Sequence, residues 1–126
     1  MSTEHATPAV DVVLALYAAL RDSQIGDALA LVDSQVICRP LVRPGLSVYY
    51  RLDGITALIH DMHRAHGRYQ FRIDSVTEED GPTITVQAVI IPEPGRNQPA
   101  LPVTSVYTLQ NGLITSIESQ PGPSTP

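Results

Sequence analysis

The sequence predicts an α+β domain: a curved antiparallel sheet with three helices from the first half of the chain packed over one face. Three observations predict it. Apolar residues recur at helical spacing as far as Ala65. They alternate with polar residues after Gly67. Turn signals separate the alternating runs. Helices over one face of a curved sheet leave a cone-shaped space, the usual seat of a small ligand.

The elements follow in order. Residues 1–7 are polar and predict a flexible N-terminus. Thr7-Pro8 supplies a hydroxyl cap followed by proline at the first helical position. Over residues 8–22, Val10, Val12, Val13, Leu14, Leu16, Tyr17 and Leu20 make a helix apolar almost all round, hence one covered on most sides. The pattern breaks at Asp22-Ser23-Gln24. Ile25, Ala28, Leu29, Leu31 and Val32 then predict a shorter helix ending near Asp33. Residues 36–42 predict a short strand interrupted by Pro40, Pro44-Gly45 a turn, and residues 46–51 another short strand. Asp53 is placed to cap a third helix that Gly67 closes, with Ile55, Leu58, Ile59 and Met62 as its core stripe and His66 at the next step.

From Tyr69 the period is two. Tyr69, Phe71 and Ile73 alternate with Gln70, Arg72 and Asp74 before a turn at Glu79-Asp80-Gly81-Pro82. Residues 83–91, 101–109 and 113–119 predict three more strands, the first pair joined by a long loop over residues 92–99 and the second by the two-residue turn Asn111-Gly112. The three prolines of residues 120–126 predict a disordered tail, so the domain spans residues 8–119.

Composition excludes several chemistries. Net charge is −5 with no basic run, which argues against a nucleic-acid partner. All eight positive charges are arginine, and without lysine there is no Schiff-base chemistry. The single cysteine, Cys38, excludes an internal disulfide and a cysteine-rich zinc site. No apolar run approaches the roughly 18 residues of a membrane span, and residues 1–8 lack a signal-peptide core, so the expectation is a cytoplasmic protein without a membrane partner. No GxGxxG, P-loop, GxSxG, HExxH or CxxC motif occurs, so no cofactor is expected.

Five short segments occur in a telling order: Tyr17-Ala18-Ala19-Leu20, Ala28-Leu29-Ala30-Leu31-Val32-Asp33, Val36-Ile37-Cys38-Arg39-Pro40, Tyr50-Arg51-Leu52-Asp53-Gly54-Ile55 and Leu109-Gln110-Asn111-Gly112-Leu113-Ile114. In this order and spacing the chain resembles the SnoaL-like branch of the nuclear transport factor two-like superfamily, over about residues 8 to 119. That group includes ketosteroid isomerases, limonene epoxide hydrolase and polyketide cyclases. The resemblance implies the fold but not the chemistry. Where the isomerases carry a general-base aspartate, this sequence has Arg39. Their oxyanion tyrosine falls at Leu16, beside Tyr17, and their second acid near Ser105. The ionisable positions of the epoxide hydrolase fall at Val86, Ala88 and Ser119. Neither active site survives.

Other polar residues could carry chemistry. The resemblance points Arg39 into the cavity, where a guanidinium would clamp a carboxylate, phosphate or enolate. Cys38 would then point away. The structural alternative for Arg39 is a carboxylate partner or a place at the rim. His60, His63 and His66 form H-x-x-H-x-x-H. The outer two stand about 9 Å apart along a helix and roughly 120° apart around it, so no single metal ion takes all three. His66 continues the core stripe and is the candidate acid or base, unless it is simply packed. The resemblance makes the face of Val103, Ser105 and Tyr107 the cavity face, with Tyr107 as a hydrogen-bond donor to a ligand carbonyl. Core filling is the alternative for both Tyr107 and Tyr17. Strand parity and the helix stripe add Phe71, Ile73, Val86, Ala88, Leu58 and Met62 to the lining. Tyr49 and Tyr50 are expected at the rim.

Two functions fit. One is a cofactor-independent cyclase or isomerase for a polyketide-like or carbonyl substrate, with His66 and Tyr107 as acid and base and Arg39 holding negative charge. The other is a non-catalytic module that binds a small hydrophobic molecule or pairs with itself. The opposite sheet face, with Thr85, Gln87, Val89, Ile91, Thr104, Val106, Thr108, Ile114 and Ser116, lacks the charges of a solvent face and predicts a homodimer.

Overall fold

Local pattern and long-range pairing agree over most of the chain. The computed structural model describes residues 8–40, 48–79 and 83–122. In order the elements are α1 (Pro8–Arg21), α2 (Ile25–Ala30), β1 (Val32–Arg39), β2 (Tyr49–Tyr50), α3 (Arg51–His66), β3 (Gln70–Glu79), β4 (Thr83–Ile91), β5 (Leu101–Gln110) and β6 (Leu113–Pro121). The strands form one sheet in the order β2-β1-β6-β5-β4-β3. Neighbours are antiparallel except β1 and β6, which run parallel. The helices lie on the concave face of this curved, unclosed sheet, so the architecture is the α+β cone. The expected flexible N-terminus, the Pro44-Gly45 turn and the centre of the Glu79–Pro82 turn lie outside the described residues.

The alternating strands keep the predicted parity. In β4, Ile84, Val86, Ala88 and Ile90 are buried toward the helices, and in β5 so are Val103, Ser105, Tyr107 and Leu109. They close on Val13, Leu16, Leu20, Ile55, Leu58 and Ile59 from α1 and α3 in a single core.

Three boundaries differ from those the sequence predicts, each because a tertiary contact overrides a local preference. Val32 and Asp33 are strand rather than helix, since Val32 pairs with Ile114 and the Ile114 amide donates to the Leu31 carbonyl at 3.0 Å. Asp53 does not cap α3. Tyr50 holds the cap position and the helix starts three residues earlier, at Arg51 with φ +60°, so Asp53 sits in the first turn where its charge favours the helix dipole. Gly54 lies against the Tyr49 backbone: a Cβ there would stand 2.8 Å from the Tyr49 carbonyl carbon. Finally, β6 runs past Ser119, pairing Gln120 with Thr104 and Pro121 with Val103, so the ordered domain extends beyond the predicted boundary.

A bulge between Thr108 and Leu109 pairs Leu109 with Ile114 and buries both. Ile114 therefore belongs to the core, not to the outer face assigned to it. That face is formed by half-buried Thr85, Gln87, Thr104, Val106, Thr108 and Ser116, with buried Val89. It carries more charge than expected, in the ion pairs Arg39–Glu118 at 3.3 Å and Arg72–Asp74 at 3.0 Å.

Candidate functional site

Between α1, α3 and the concave sheet face lies a cavity of about 70 Å³. Its apolar wall is Leu16, Leu20, Leu58, Met62, Phe71, Ala88, Ile90, Val103 and Ile117, with Pro40 where β1 ends. Its polar groups are Tyr17, Tyr107, Ser105, Ser119 and Cys38.

The hydroxyls form one cluster. Ser105 and Ser119 are cross-strand partners with their oxygens 2.7 Å apart. The Tyr17 and Tyr107 hydroxyls neighbour each other and Ser105 closely enough to shift one another's proton affinity. The two rings meet edge-on at 5.8 Å, and Phe71 packs edge-on against Tyr17 at 4.7 Å. Burial raises the pKa of both phenols. The neighbouring Tyr17 hydroxyl raises that of Tyr107 further. Burial likewise pushes the Cys38 thiol up to about 12. All three groups are therefore neutral and protonated at physiological pH. Among the described residues no Asp, Glu, His or Arg lines the cavity.

Most predicted site residues meet here: Tyr17, Tyr107, Ser105, Ser119, Phe71, Met62, Leu58 and Ala88. Val86 faces inward as predicted but is fully covered by the core and does not reach the cavity. Four other expectations are corrected. Arg39 points away, onto the outer face opposite Glu118, and Cys38 takes the inward position. A thiol enters an apolar wall without the desolvation cost that a guanidinium would incur there. His66 is buried yet does not line the cavity. It sits against Tyr69 beneath the 92–99 loop, with both ring nitrogens unpaired. Arg96 and Gln98 of that loop donate to the Ala65 carbonyl at 3.0 and 3.1 Å, and the Glu93 amide donates to the His66 carbonyl. Burial, then the charge of Arg96, lowers the His66 pKa. Ile73 stands outside the cavity and is 37% exposed.

Tyr49 is not at a rim. It is fully buried, and its hydroxyl donates to Asp61 at 2.7 Å, while Arg64 pairs with the other carboxylate oxygen. Asp61 was silent in the sequence, being one polar residue on a mixed helix. His63 lies 2.7 Å from the Ser23 hydroxyl and 3.3 Å from the Leu20 carbonyl, where it helps cap α1. His60 is exposed. Among the described residues no cluster of His, Cys, Asp or Glu has the arrangement of a metal site. No helix among them is long and apolar enough to cross a membrane.

The fold is an α+β cone with a cavity between its helices and the concave sheet face. The chain belongs to the SnoaL-like domain family, whose model matches residues 13–117. No curated protein matches the sequence. Among solved structures it is similar to TerC co-crystallised with polyporic acid, at TM-score 0.78 and 18% identity over 91% of this chain and 92% of that one. It is similar to RV0760c from Mycobacterium tuberculosis in complex with estradiol-17beta-hemisuccinate, at TM-score 0.75 and 20% identity over 90% and 93%. It is also similar to a computationally designed 17-OHP binder, at TM-score 0.74 and 18% identity over 92% of each.

Proposed function

We propose that this protein binds a neutral, largely apolar small molecule in the cavity and holds its polar group with the Tyr17–Tyr107–Ser105 hydroxyl cluster. One observation carries the reading: among the described residues the lining combines an apolar wall with a convergent set of hydroxyls and no group charged at neutral pH. Hydroxyls both donate and accept, so the cluster suits a ligand carbonyl or hydroxyl. A carboxylate would enter without a counter-charge, at a large desolvation cost. The bound molecules named for two similar structures, polyporic acid and estradiol-17beta-hemisuccinate, support a small-molecule role for this scaffold.

The cyclase or isomerase reading keeps only half its machinery. Tyr107 and Tyr17 could polarise a substrate carbonyl. Proton abstraction needs a base, and His66, the candidate, lies outside the cavity. Binding without turnover is the better reading.

Calorimetric titration tests it, with para-cresol as the neutral probe and benzoate as its charged counterpart. Para-cresol binds and benzoate does not. Tyr107→Phe keeps the ring and removes one buried hydrogen bond, weakening para-cresol by about five- to tenfold. Preference for benzoate, or indifference to Tyr107→Phe, refutes the reading.

The outer sheet face supports a second proposal, a homodimer. Its Thr, Val and Gln residues on β4 and β5 form a broad surface, with Glu118 of β6 beside Val106 paired to Arg39 of β1, and further charge at Arg72 and Asp74 on β3. Two copies of such a face fit an isologous contact. Light scattering gives twice 13.6 kDa for the dimer. Val106→Glu brings like charges together near the two-fold and returns the monomer mass. A monomer mass for the parent protein overturns the proposal.

A further inference from the structure

The cavity is small for the ligand class just assigned. Its roughly 70 Å³ is several-fold below the roughly 300 Å³ at which pockets for drug-sized ligands begin. The rings of Tyr17, Phe71 and Tyr107 occupy much of the space between α1 and the sheet. On the far side of two of these rings lies a surface groove of about 130 Å³, between α1 and the edge strand β3. Tyr17 and Phe71 border both spaces. The rest of the groove is Leu14, Ala18, Arg21 and Ile73.

The groove is apolar where the fold would lead one to expect a polar seam. Ile73 lies one inward step along β3 from Phe71, yet no helix covers it, and it is one of only three large hydrophobic side chains exposed among the described residues. Arg21, the one charged wall, is held by Asp22 through two hydrogen bonds of 2.9 Å, which leaves its aliphatic stem to face an occupant. Phe71 itself is only half-buried at the edge of the core, with its ring in edge-on contact with Tyr17 at 4.7 Å and Tyr69 at 5.2 Å. Turning that ring out of the wall joins cavity and groove. The space the ring leaves, together with the groove, brings the combined volume to the order of a drug-sized site.

We infer that the α1–β3 groove is the second half of the ligand site, reached by displacement of Phe71, and that the ligand is elongated: a carbonyl or hydroxyl at the Ser105–Tyr107 end and an uncharged apolar tail along Leu14, Ala18 and Ile73. The inference rests on the cavity reading above and adds the ligand's shape, its polarity along its length and its route of entry.

The test compares two phenols that share a head group. Para-cresol has no tail, and para-octylphenol has one long enough to leave the cavity. Each is titrated into the parent protein, into Ile73→Glu and into Phe71→Ala, with thermal melts confirming that both variants fold. Ile73→Glu changes an exposed side chain and puts charge in the groove. It weakens para-octylphenol by at least about tenfold and leaves para-cresol unchanged. Phe71→Ala removes the gate and speeds para-octylphenol association, read by stopped-flow, by about tenfold. If para-cresol binds but Ile73→Glu affects neither phenol, or both equally, the groove is not part of the site and only the extension falls. If neither phenol binds the parent protein, the cavity reading falls with it.

Discussion

Replacing His66 with leucine should make the protein more stable, and increasingly so as the solution is acidified. His66 is 8% exposed and neither ring nitrogen has a partner among the described residues. A buried polar group left unpaired costs roughly 1–3 kcal/mol, and an apolar residue of similar size removes that cost. Some ring contact with Tyr69 is lost in exchange, so about 1–2 kcal/mol is the expected net gain at neutral pH. A chain of 126 residues unfolds with an entropy of about 0.26 kcal/mol/K, which converts this gain into a melting-temperature rise of about 4–8 °C. The pH dependence has a definite sign. Burial and Arg96 lower the folded-state pKa below the ordinary 6.5. The unfolded chain therefore binds the proton more readily. Stability is full above 6.5 and falls as the pH drops through the window below it, until the folded-state pKa is passed. Leucine has no such loss. The assay is urea unfolding of parent and variant at about pH 7.5 and about pH 5, either side of the free imidazole pKa. A variant less stable than the parent at the higher pH, or a difference that does not widen at the lower pH, refutes the reasoning.

Three further outcomes follow from the packing. Gly54→Ala should destabilise by about 1–3 kcal/mol in urea, since its Cβ would meet the Tyr49 backbone at 2.8 Å. An open helix position would instead gain about 1 kcal/mol from the same change. Cys38, with its thiol pKa pushed up to about 12, should not react with Ellman's reagent in the native protein and should react fully in denaturant. Arg39→Leu removes a surface ion pair and should shift stability by less than about 0.5 kcal/mol while leaving para-cresol affinity unchanged. A loss of affinity would return Arg39 to the cavity.

The amino-acid sequence alone carries whatever a repeating pattern can encode. The period of two in β4 and β5, counted outward from strong turns, is enough to put Ala88, Ser105 and Tyr107 on one face. The helical stripe of α3 does the same for Leu58 and Met62. Arg39 where the isomerases carry an aspartate, and Val86, Ala88 and Ser119 where the epoxide hydrolase carries ionisable groups, already remove the familiar active sites. Tertiary structure decides what has no local frame. The strand β1 ends at Arg39, before Pro40, and shifts register between Val32 and Ile37, so parity cannot be counted along it, and Arg39 and Cys38 exchange faces. His66 continues the apolar stripe, but where that stripe leads depends on the 92–99 loop folding back over the end of α3. The groove beside Phe71 exists because α1 stops short of covering Ile73 on an edge strand more than 50 positions away in sequence, and Asp61 is buried because Tyr49 reaches it across the start of α3. Periodicity reports which side of an element is covered. Which group meets which is set by how far the elements reach over one another, and no single stretch of chain encodes that.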